Sequence, residues 1–379
     1  MTVREARPLR VLTWADWWLP SVGGVEVFSA RLAPALAGRG VRIEAVVGRH
    51  ADDVPEHDEV DGVPVHRFPF HQALASRDLE AIATTTRRVG ELRARLRPDL
   101  VHLNTLGPGV LFERATRARG AAPVLLTLHS PVPSELGPDT LAGRALRSAT
   151  RIACNSHAVH ADLARALPEV AARSLVVHYG LPPMGREPPP RPRAPRLLAY
   201  GRLVDEKGFD VALRAFATVL ARHSDARLAL GGDGPARPAL ARLADELGIA
   251  HAVDVLGLLS ADGVSAALDA AALVVVPSRW DEPFGLVALE AALRARPVVA
   301  TRVGGLVEAV EDGVSGLLVE REDADALAAA ILRLLEDAPL ADRLGADGRA
   351  RAETRFGWDA CVTAYERLYT ATAATEGGA

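Results

Sequence analysis

Two glutamates separated by seven residues, Glu282 and Glu290, stand at the start and in the interior of a strongly apolar predicted helix. A run of valines before them predicts a buried strand, and Pro283 and Gly285 mark the turn between strand and helix. About two helical turns separate the two carboxylates, so both face nearly the same side. Because carboxylates accept paired hydrogen bonds from vicinal hydroxyls, this spacing favours a site for a sugar or a ribose over a solvated helix surface.

A second candidate site follows the predicted strand 196–200, where Arg202 and Lys207 precede Gly208 and another helix. The chain has 44 basic residues, and Lys207 is the only lysine among them. A compact ammonium can contact phosphate oxygens where the wide guanidinium fork of arginine does not fit. Two cations beside a helix start at one sheet edge therefore predict a diphosphate site.

The first strand-to-helix connection contains Asp16, Trp17 and Trp18, followed by Gly23 and Gly24. Paired glycines at a helix start let the backbone approach an anion, although an ordinary tight turn explains them equally well. We expect two exposed tryptophans that stack on a sugar and, with Asp16, bind the acceptor. The alternative is that the indole rings pack into the core.

Short β-rich runs alternate with Ala/Leu/Arg stretches of helical period throughout the chain, which predicts doubly wound parallel sheets. The predicted strands are 10–14, 42–47, 63–68, 100–103, 124–128, 151–155, 175–178, 196–200, 227–231, 253–256, 273–276, 298–301 and 316–319. Helices are expected at 25–39, 78–96 and 156–167 and throughout the region after residue 323. Prolines interrupt this pattern between residues 182 and 195, as a linker between two domains would.

The composition, with 379 residues, 49% hydrophobic and 24% charged, indicates a globular protein large enough for two domains. No apolar run reaches the length of a membrane span, and no export signal is recognised at the start, so a cytoplasmic location is expected. The two cysteines, Cys154 and Cys361, are expected to be buried and unpaired.

Charge is distributed unequally along the chain. Residues 1–195 carry 25 basic and 20 acidic side chains, whereas residues 196–379 carry 19 and 28. The basic half allows peripheral contact with an anionic membrane, which is not the favoured interpretation. The acidic half argues against a nucleic-acid partner.

Four motifs occur in order at domain-scale spacing, and together they resemble the retaining glycosyltransferases of family 4, also called group 1. They are Gly23-Gly24-x-Glu26, Gly201-Arg202-x-x-x-Glu206-Lys207-Gly208, Gly232-Asp233-Gly234-Pro235 and Glu282-Pro283-Phe284-Gly285 with Glu290. The resemblance covers nearly the whole chain and implies the GT-B fold: two Rossmann-like domains with a cleft between them. We therefore expect an acceptor-binding domain at 1–185, a proline-rich linker at 186–195, a donor domain at 196–355, and a helix at 356–379 that packs back on the first domain.

The resemblance also implies roles for individual residues. Arg202 and Lys207 would hold the donor diphosphate, Glu290 the ribose, and Glu282 with the amides of Phe284, Gly285 and Leu286 the donor sugar. Gly23 and Gly24 would approach the phosphates from the first domain. His129 matches a histidine expected near the donor sugar, although Ser130 departs from the aspartate that often follows it. Glu282, His129, Arg202 and Lys207 are the expected catalytic residues.

The function expected from these features is retaining transfer of a sugar from a nucleoside diphosphate to a hydroxyl of an acceptor that the sequence does not name. No metal or other cofactor is expected, since Arg202 and Lys207 can neutralise the departing diphosphate. The alternatives are a sugar-nucleotide epimerase on a similar scaffold and a non-catalytic nucleotide-sugar binding protein.

Overall fold

The computed structural model describes residues 7–19, 24–51, 53–117, 121–133, 136–137, 139–184 and 187–375. The chain forms two compact units. The first comprises the described residues up to Val177 together with those from Ala360 onward, and the second runs from His178 to Asp359. The boundary therefore lies before the expected linker at 186–195, and the last helix returns the chain to the first unit.

The first unit contains an eight-stranded sheet in the order β3-β4-β2-β1-β5-β6-β7-β8. Its strands are β1 Arg10–Ala15, β2 Arg42–Gly48, β3 His57–Val60, β4 Val63–Phe68, β5 Leu100–Leu103, β6 Val124–Leu128, β7 Arg151–Cys154 and β8 Ser174–Val176. Its helices are α1 Gly24–Ala37, α2 Phe70–Ala75, α3 Leu79–Leu96, α4 Gly109–Ala115, α5 Leu141–Ser148 and α6 His157–Ala166. All pairings are parallel except that of β3 with β4.

The second unit contains a six-stranded, wholly parallel sheet in the order β11-β10-β9-β12-β13-β14. Its strands are β9 Arg196–Tyr200, β10 Arg227–Gly231, β11 Val253–Gly257, β12 Leu273–Val276, β13 Val298–Thr301 and β14 Gly316–Val319. Its helices are α7 Phe209–Arg222, α8 Arg237–Glu246, α9 Ala261–Ala270, α10 Leu286–Leu293, α11 Leu306–Ala309, α12 Ala324–Glu336 and α13 Ala338–Arg355; α14 Trp358–Ala373 follows and lies almost wholly in the first unit.

Local sequence explains why these elements form where they do. The central strands β5, β6, β12 and β13 are buried along their whole length, as apolar strands covered on both faces must be. Side chains cap several helices: Asp78 accepts from the Glu80 amide at α3, and Ser156 accepts from the Val159 amide at α6.

The alternating pattern therefore predicted the doubly wound architecture correctly, and each of the thirteen predicted strands overlaps an observed one. Strand β3 was not predicted, because its four residues are mostly polar and exposed. It is an antiparallel edge strand, which needs no apolar face of its own. Both cysteines are buried and neither forms a disulfide, as expected.

The proline-rich stretch before β9 is bound to the second unit rather than extended between the two. Arg191 and Arg193 both donate to the Asp342 carboxylate of α13 at 2.8 Å. The Pro189 carbonyl accepts from the buried Arg296 guanidinium at 3.0 Å.

Candidate active site

The two motifs of the second unit meet because β9 and β12 are adjacent parallel strands. Their carboxyl ends lie at the same sheet edge, so the loop 201–208 after β9 and the loop 277–285 after β12 are neighbours. At Gly208 the backbones of these two loops come into close contact. Its φ is +67°, and a Cβ at this position would lie 2.1 Å from the Pro277 carbonyl oxygen. Only glycine fits here without moving one of the two loops.

Lys207 and Glu282 form the centre of this edge. The Lys207 Nζ donates to Glu282 Oε1 at 2.6 Å, and the Ser278 hydroxyl donates to the same oxygen at 2.5 Å. The Trp280 ring centroid lies 5.3 Å from Nζ, within range of a cation–π contact. Glu282 is buried, whereas the Lys207 side chain retains 22% of its exposure. The arrangement holds one cation and one carboxylate in direct contact where a ligand can reach the cation.

The backbone at Glu282 is fixed from its other side by the loop after β13. The Gly305 amide donates to the Glu282 carbonyl oxygen at 2.6 Å. A Cβ on Gly305 would lie 2.3 Å from the Pro283 carbonyl oxygen, so two backbones touch here with no side chain between them. This contact positions the turn that precedes α10.

Helix α10 begins at Leu286, directly after Gly285, so its first amides lie at the same edge as predicted. Phe284 is fully buried and packs against the rings of His178, Tyr179 and Phe356, with centroids 5.2 to 5.9 Å away. The Phe284 side chain is therefore an anchor, and only its backbone is available to a ligand.

Glu290 lies within α10 and is only partly buried. Its Oε2 accepts a 2.6 Å hydrogen bond from the hydroxyl of Tyr200, the last residue of β9. Burial, followed by the charge of Glu290, raises the pKa of Tyr200 well above its usual value. The phenol therefore stays protonated and keeps donating to this carboxylate.

The two predicted cations have different surroundings. Arg202 pairs with Glu206 at 3.0 Å, and its side chain is 65% exposed. A third cation, Arg279, joins the two loops: its guanidinium donates to the Asp205 carbonyl oxygen and to Asp210, and its amide donates to the Glu206 carbonyl oxygen. Hydrogen bonds to Glu322 and Asp210 raise the pKa of Arg279.

In the first unit, the carboxyl edge of the sheet holds a cavity of about 400 Å³. Its walls come from the loops after β1, β5 and β6 and from the start of α1. The lining residues are Ala15, Asp16, Trp17, Val25, Glu26, Asn104, Thr105, Leu106, Thr127, Leu128, His129, Ser130, Pro131, Val132, Pro133, Leu136 and Ala142.

Asp16 has a fixed place at this cavity. Its Oδ1 accepts from the Gly109 amide, the first residue of α4, at 2.9 Å, and its Oδ2 accepts from the Thr105 hydroxyl. Trp17 is 43% exposed and stacks on His50, whose Nε2 lies 2.5 Å from the Asp16 carbonyl oxygen. Asp16 and Trp17 both line the cavity, as their prediction requires.

The expectation of two exposed tryptophans is wrong for Trp18, which is only 3% exposed. The ring packs into the unit, so the alternative of core packing applies to this residue. Gly23 lies outside the described residues. Gly24 is the exposed first residue of α1, and Glu26 in the first turn of that helix reaches the cavity.

His129 lines the cavity, and most of its side chain is buried. Its Nε2 lies 3.2 Å from Asn104 Oδ1, and the Asn104 amide donates to the Thr13 hydroxyl at 2.9 Å. Burial lowers the pKa of His129 to about 3, so the ring is neutral near pH 7.

A second buried histidine lies behind it. His102 Nδ1 is 2.7 Å from the Tyr369 hydroxyl of α14, and its Nε2 is 2.7 Å from the Thr127 hydroxyl. Burial and the neighbouring His129 lower the pKa of His102 to about 3. The neutral ring thus joins the last helix to a threonine of the cavity wall.

Comparison with known proteins decides the family. A sequence model described as "Glycosyl transferases group 1" matches residues 186–351, and one described as "Glycosyltransferase Family 4" matches residues 22–184. A D-inositol 3-phosphate glycosyltransferase of Thermobispora bispora is 32% identical over 98% of this chain and 96% of its own length. The chain belongs to the group 1 glycosyltransferases.

Solved structures of this glycosyltransferase's neighbours show the same GT-B fold. Sucrose-phosphate synthase from Thermosynechococcus elongatus superimposes with a TM-score of 0.81 at 24% identity, covering 96% of this chain and 98% of that one. HepE of Anabaena, solved in complex with UDP and glucose, gives 0.78 at 22% identity, covering 96% and 99%. The expected fold and family are both confirmed.

Within the described ranges, the glycosyltransferase has no helix that is both long and apolar enough to cross a membrane.

Several residues around the two sites of this glycosyltransferase were not predicted from the sequence. In the second unit they are Tyr200, Ser278, Arg279 and Gly305, and in the first unit Asn104, Thr105 and Thr127. One signal was available for most of them: they are polar residues in or just beyond the carboxyl end of a predicted strand. Their partners, such as Tyr369 for His102, lie too far along the chain for any local pattern to reveal.

Proposed function

We propose that this glycosyltransferase moves a sugar from a nucleoside diphosphate to an acceptor hydroxyl, with retention of anomeric configuration and without a divalent metal ion. The contact between Lys207 and Glu282 is the observation that carries the proposal. In a nucleoside diphosphate sugar, the terminal phosphate is bonded directly to the sugar. Lys207 can bind that phosphate while Glu282, one hydrogen bond away, accepts from a hydroxyl of the adjoining sugar.

The carboxylate retains capacity for a sugar hydroxyl. Lys207 and Ser278 both donate to Oε1 of Glu282, and no side chain in the described part of the chain donates to Oε2. The first amides of α10 would face the same group and add a positive helix end. Glu290, oriented by Tyr200, would accept from the ribose hydroxyls. A donor of the UDP-sugar class is supported by HepE, which was solved with UDP and glucose.

Retention follows if the acceptor attacks from the side on which the phosphate leaves. The acceptor oxygen forms a bond to the anomeric carbon, the bond from that carbon to the phosphate oxygen breaks, and the acceptor proton passes to the departing phosphate. No protein nucleophile is needed on this route, which leaves Glu282 to accept a hydrogen bond from a sugar hydroxyl.

Lys207, with Arg202 on the same loop, would stabilise the charge that grows on the diphosphate as the bond breaks. This is the role that a divalent metal ion has in other glycosyl transfers. His129 would contact the donor sugar as a neutral hydrogen-bonding group rather than as an acid, because its pKa is lowered to about 3.

The test uses UDP-glucose, first for binding and then for turnover. A ligand at 100 times its dissociation constant should stabilise the protein by about 2.7 kcal/mol, which a thermal-shift assay detects. Slow hydrolysis of the α-linked donor should release α-glucose first, as followed by ¹H NMR before mutarotation. It should continue in excess EDTA. Initial release of β-glucose would end the retaining mechanism, and loss of activity in EDTA would end metal independence.

The same assay separates the alternatives. Stoichiometric conversion of the donor to its epimer without acceptor would identify an epimerase, and binding without release of UDP would identify a sensor. Because this chain is similar to a D-inositol 3-phosphate glycosyltransferase, the acceptor panel should include a cyclitol both with and without a phosphate group.

A further inference from the structure

The cavity of the first unit has an unusual balance of charge. Among the described residues that line it, the charged side chains are the carboxylates of Asp16 and Glu26. Asp16 is held in place by Thr105 and by the Gly109 amide, so its charge stays at the wall. Glu26 is only partly buried, and no described residue forms an ion pair with it.

No lysine or arginine is among the described residues that line this cavity. The described stretches around these lining residues, 15–19, 24–26, 104–109 and 129–133, also contain neither residue type. Arg49, directly after the neighbouring strand β2, donates instead to the Val54 carbonyl oxygen in the loop that follows β2, at 2.9 Å.

Other groups that could attract an anion are also engaged or uncharged. The Gly109 amide at the start of α4 already donates to Asp16. Glu26 places a negative charge in the first turn of α1. His129 in the wall and His102 behind it are both neutral near pH 7, since burial lowers the pKa of each to about 3.

The rest of the wall is mainly apolar, with Leu106, Val132 and Leu136 beside the polar groups of Asn104 and Thr105. A volume of about 400 Å³ lies in the range of small-molecule sites. An anion entering such a cavity would lose its hydration and meet two carboxylates, and the described lining residues include no lysine or arginine that could compensate. A protonated amine would gain from the same two carboxylates.

We propose that this cavity is the acceptor site and that it selects hydroxylated acceptors without an anionic group, with amine-bearing molecules bound better than neutral ones and phosphorylated ones bound worst. The inference rests on the proposed function, which needs an acceptor site, and names the chemical class of that acceptor.

The experiment uses three probes that share one scaffold and differ in charge: glucosamine, glucose and glucose 6-phosphate. Each is titrated at pH 7 and constant ionic strength into protein with ¹³C-labelled Leu and Val methyls, with no donor present. The methyls of Leu106, Leu128, Val132 and Leu136 report on the cavity. We expect these signals to shift, with glucosamine binding at least about tenfold more tightly than glucose 6-phosphate, a difference of about 1.4 kcal/mol.

Substitution of Glu26 tests whether charge is the cause. Glu26→Gln should narrow the difference between glucosamine and glucose 6-phosphate, and Glu26→Lys should reverse it. Glu91→Gln is the matched control, since Glu91 is an exposed acid of α3 paired with Arg87 and is absent from the cavity wall. It should leave the order of the three probes unchanged.

Tightest binding by glucose 6-phosphate, or no response of the cavity methyls to any probe at tens of millimolar, would overturn the proposal. An unchanged order of affinities in Glu26→Lys would overturn the electrostatic cause. Because no donor is present, a negative result here leaves the donor assay intact, whereas failure of the proposed function would appear as no release of UDP from UDP-glucose.

Discussion

The carboxyl edges of the two sheets are built by different means. In the second unit, backbone touches backbone at Gly208 and Gly305, and the polar centre is a full ion pair between Lys207 and Glu282. In the first unit, side chains enclose a cavity. Asn104, Thr127 and His129 of its wall belong to a buried hydrogen-bond network in which the histidines are neutral. The edge of the second unit is suited to a ligand that carries a phosphate beside hydroxyl groups, and the edge of the first unit is suited to a hydroxylated ligand.

Substitutions at the edge of the second unit should therefore affect catalysis, whereas substitutions in the buried network of the first unit should affect the conformation of the protein. A charge that acts on the transition state contributes to turnover beyond its contribution to affinity. A neutral buried network contributes orientation and stability, and becomes costly when one of its members is charged.

Lys207→Met breaks the charged edge and should have the largest effect. We expect kcat to fall about 10²–10³-fold, or about 2.7–4 kcal/mol, as for removal of one preorganised stabilising group. The affinity for donor should fall less. Lys207→Arg should also be impaired, since the guanidinium fork cannot replace a compact charge on a backbone fixed at Gly208. Steady-state kinetics with UDP-glucose, after circular dichroism shows normal folding, measures both variants. A near-normal kcat in Lys207→Met would remove the lysine from the mechanism.

Substitutions of Glu290 and Glu282 should affect different properties, UDP affinity for Glu290 and turnover for Glu282. Glu290→Ala should weaken UDP binding by about 1.5–3 kcal/mol, the range for hydrogen bonds to a charged group. Tyr200→Phe should give a smaller loss of about 0.5–1.5 kcal/mol, because it removes only the hydroxyl that orients Glu290.

Glu282→Ala should leave UDP binding nearly unchanged and reduce turnover. Isothermal titration calorimetry with UDP measures all three variants. Equal losses of UDP affinity in Glu282→Ala and Glu290→Ala would contradict the division between sugar and nucleotide.

Backbone approach can be tested apart from charge with two glycines of nearly equal φ. Gly208 has φ +67° and Gly248 has φ +69°, but a Cβ would meet the Pro277 carbonyl oxygen at Gly208 and nothing within 4 Å at Gly248. Both alanine variants carry the same left-handed strain. Gly208→Ala should lose about 1–3 kcal/mol more of the free energy of unfolding, because two backbones must separate. Urea denaturation measures the difference, and equal losses would show that the loops are not tightly apposed.

The neutral histidines of the first unit predict an acid-sensitive stability. Both have a usual pKa of 6.5 that burial lowers to about 3, so below pH 6.5 the unfolded chain binds protons that the folded unit does not. Stability contributed by the neutral rings is complete above pH 6.5 and is lost as pH falls. Each histidine should contribute a slope of about 1.4 kcal/mol per pH unit.

Denaturation between pH 7 and pH 5 tests this slope, and His102→Gln should remove about half of it. The variant keeps a polar side chain between Tyr369 and Thr127, so it should still fold near pH 7. If wild type and His102→Gln had the same pH dependence, His102 would already be charged in the folded unit.

The sequence reveals much of the second unit because its site is built from local motifs. Lys207 stands beside the glycine that brings the loops together, and Glu282 and Glu290 occupy one strand-to-helix segment. Their spacing brings them to one sheet edge once β9 and β12 are neighbours. The direct bond between Lys207 and Glu282 was not predicted, since 75 residues separate them.

The first unit was less predictable. The sequence does not show which of the adjacent residues Trp17 and Trp18 is exposed, because both are tryptophan. Only the packing of the loop distinguishes the exposed ring from the buried one. Asp16 was expected to bind a ligand, and the sequence did not show that each of its oxygens also accepts a hydrogen bond from the loop after β5.

The sequence by itself determined the alternation of strands and helices, the family and the position of the charged motifs, because hydrophobic period, turn residues and motif spacing are local properties. Only the tertiary structure decided which strands are adjacent, that Tyr369 reaches His102, that burial keeps two histidines neutral, and that the cavity wall holds carboxylates without a described lysine or arginine. The physical reason is that burial and the sum of charges around a point depend on residues distant in the chain, which local sequence does not bring together.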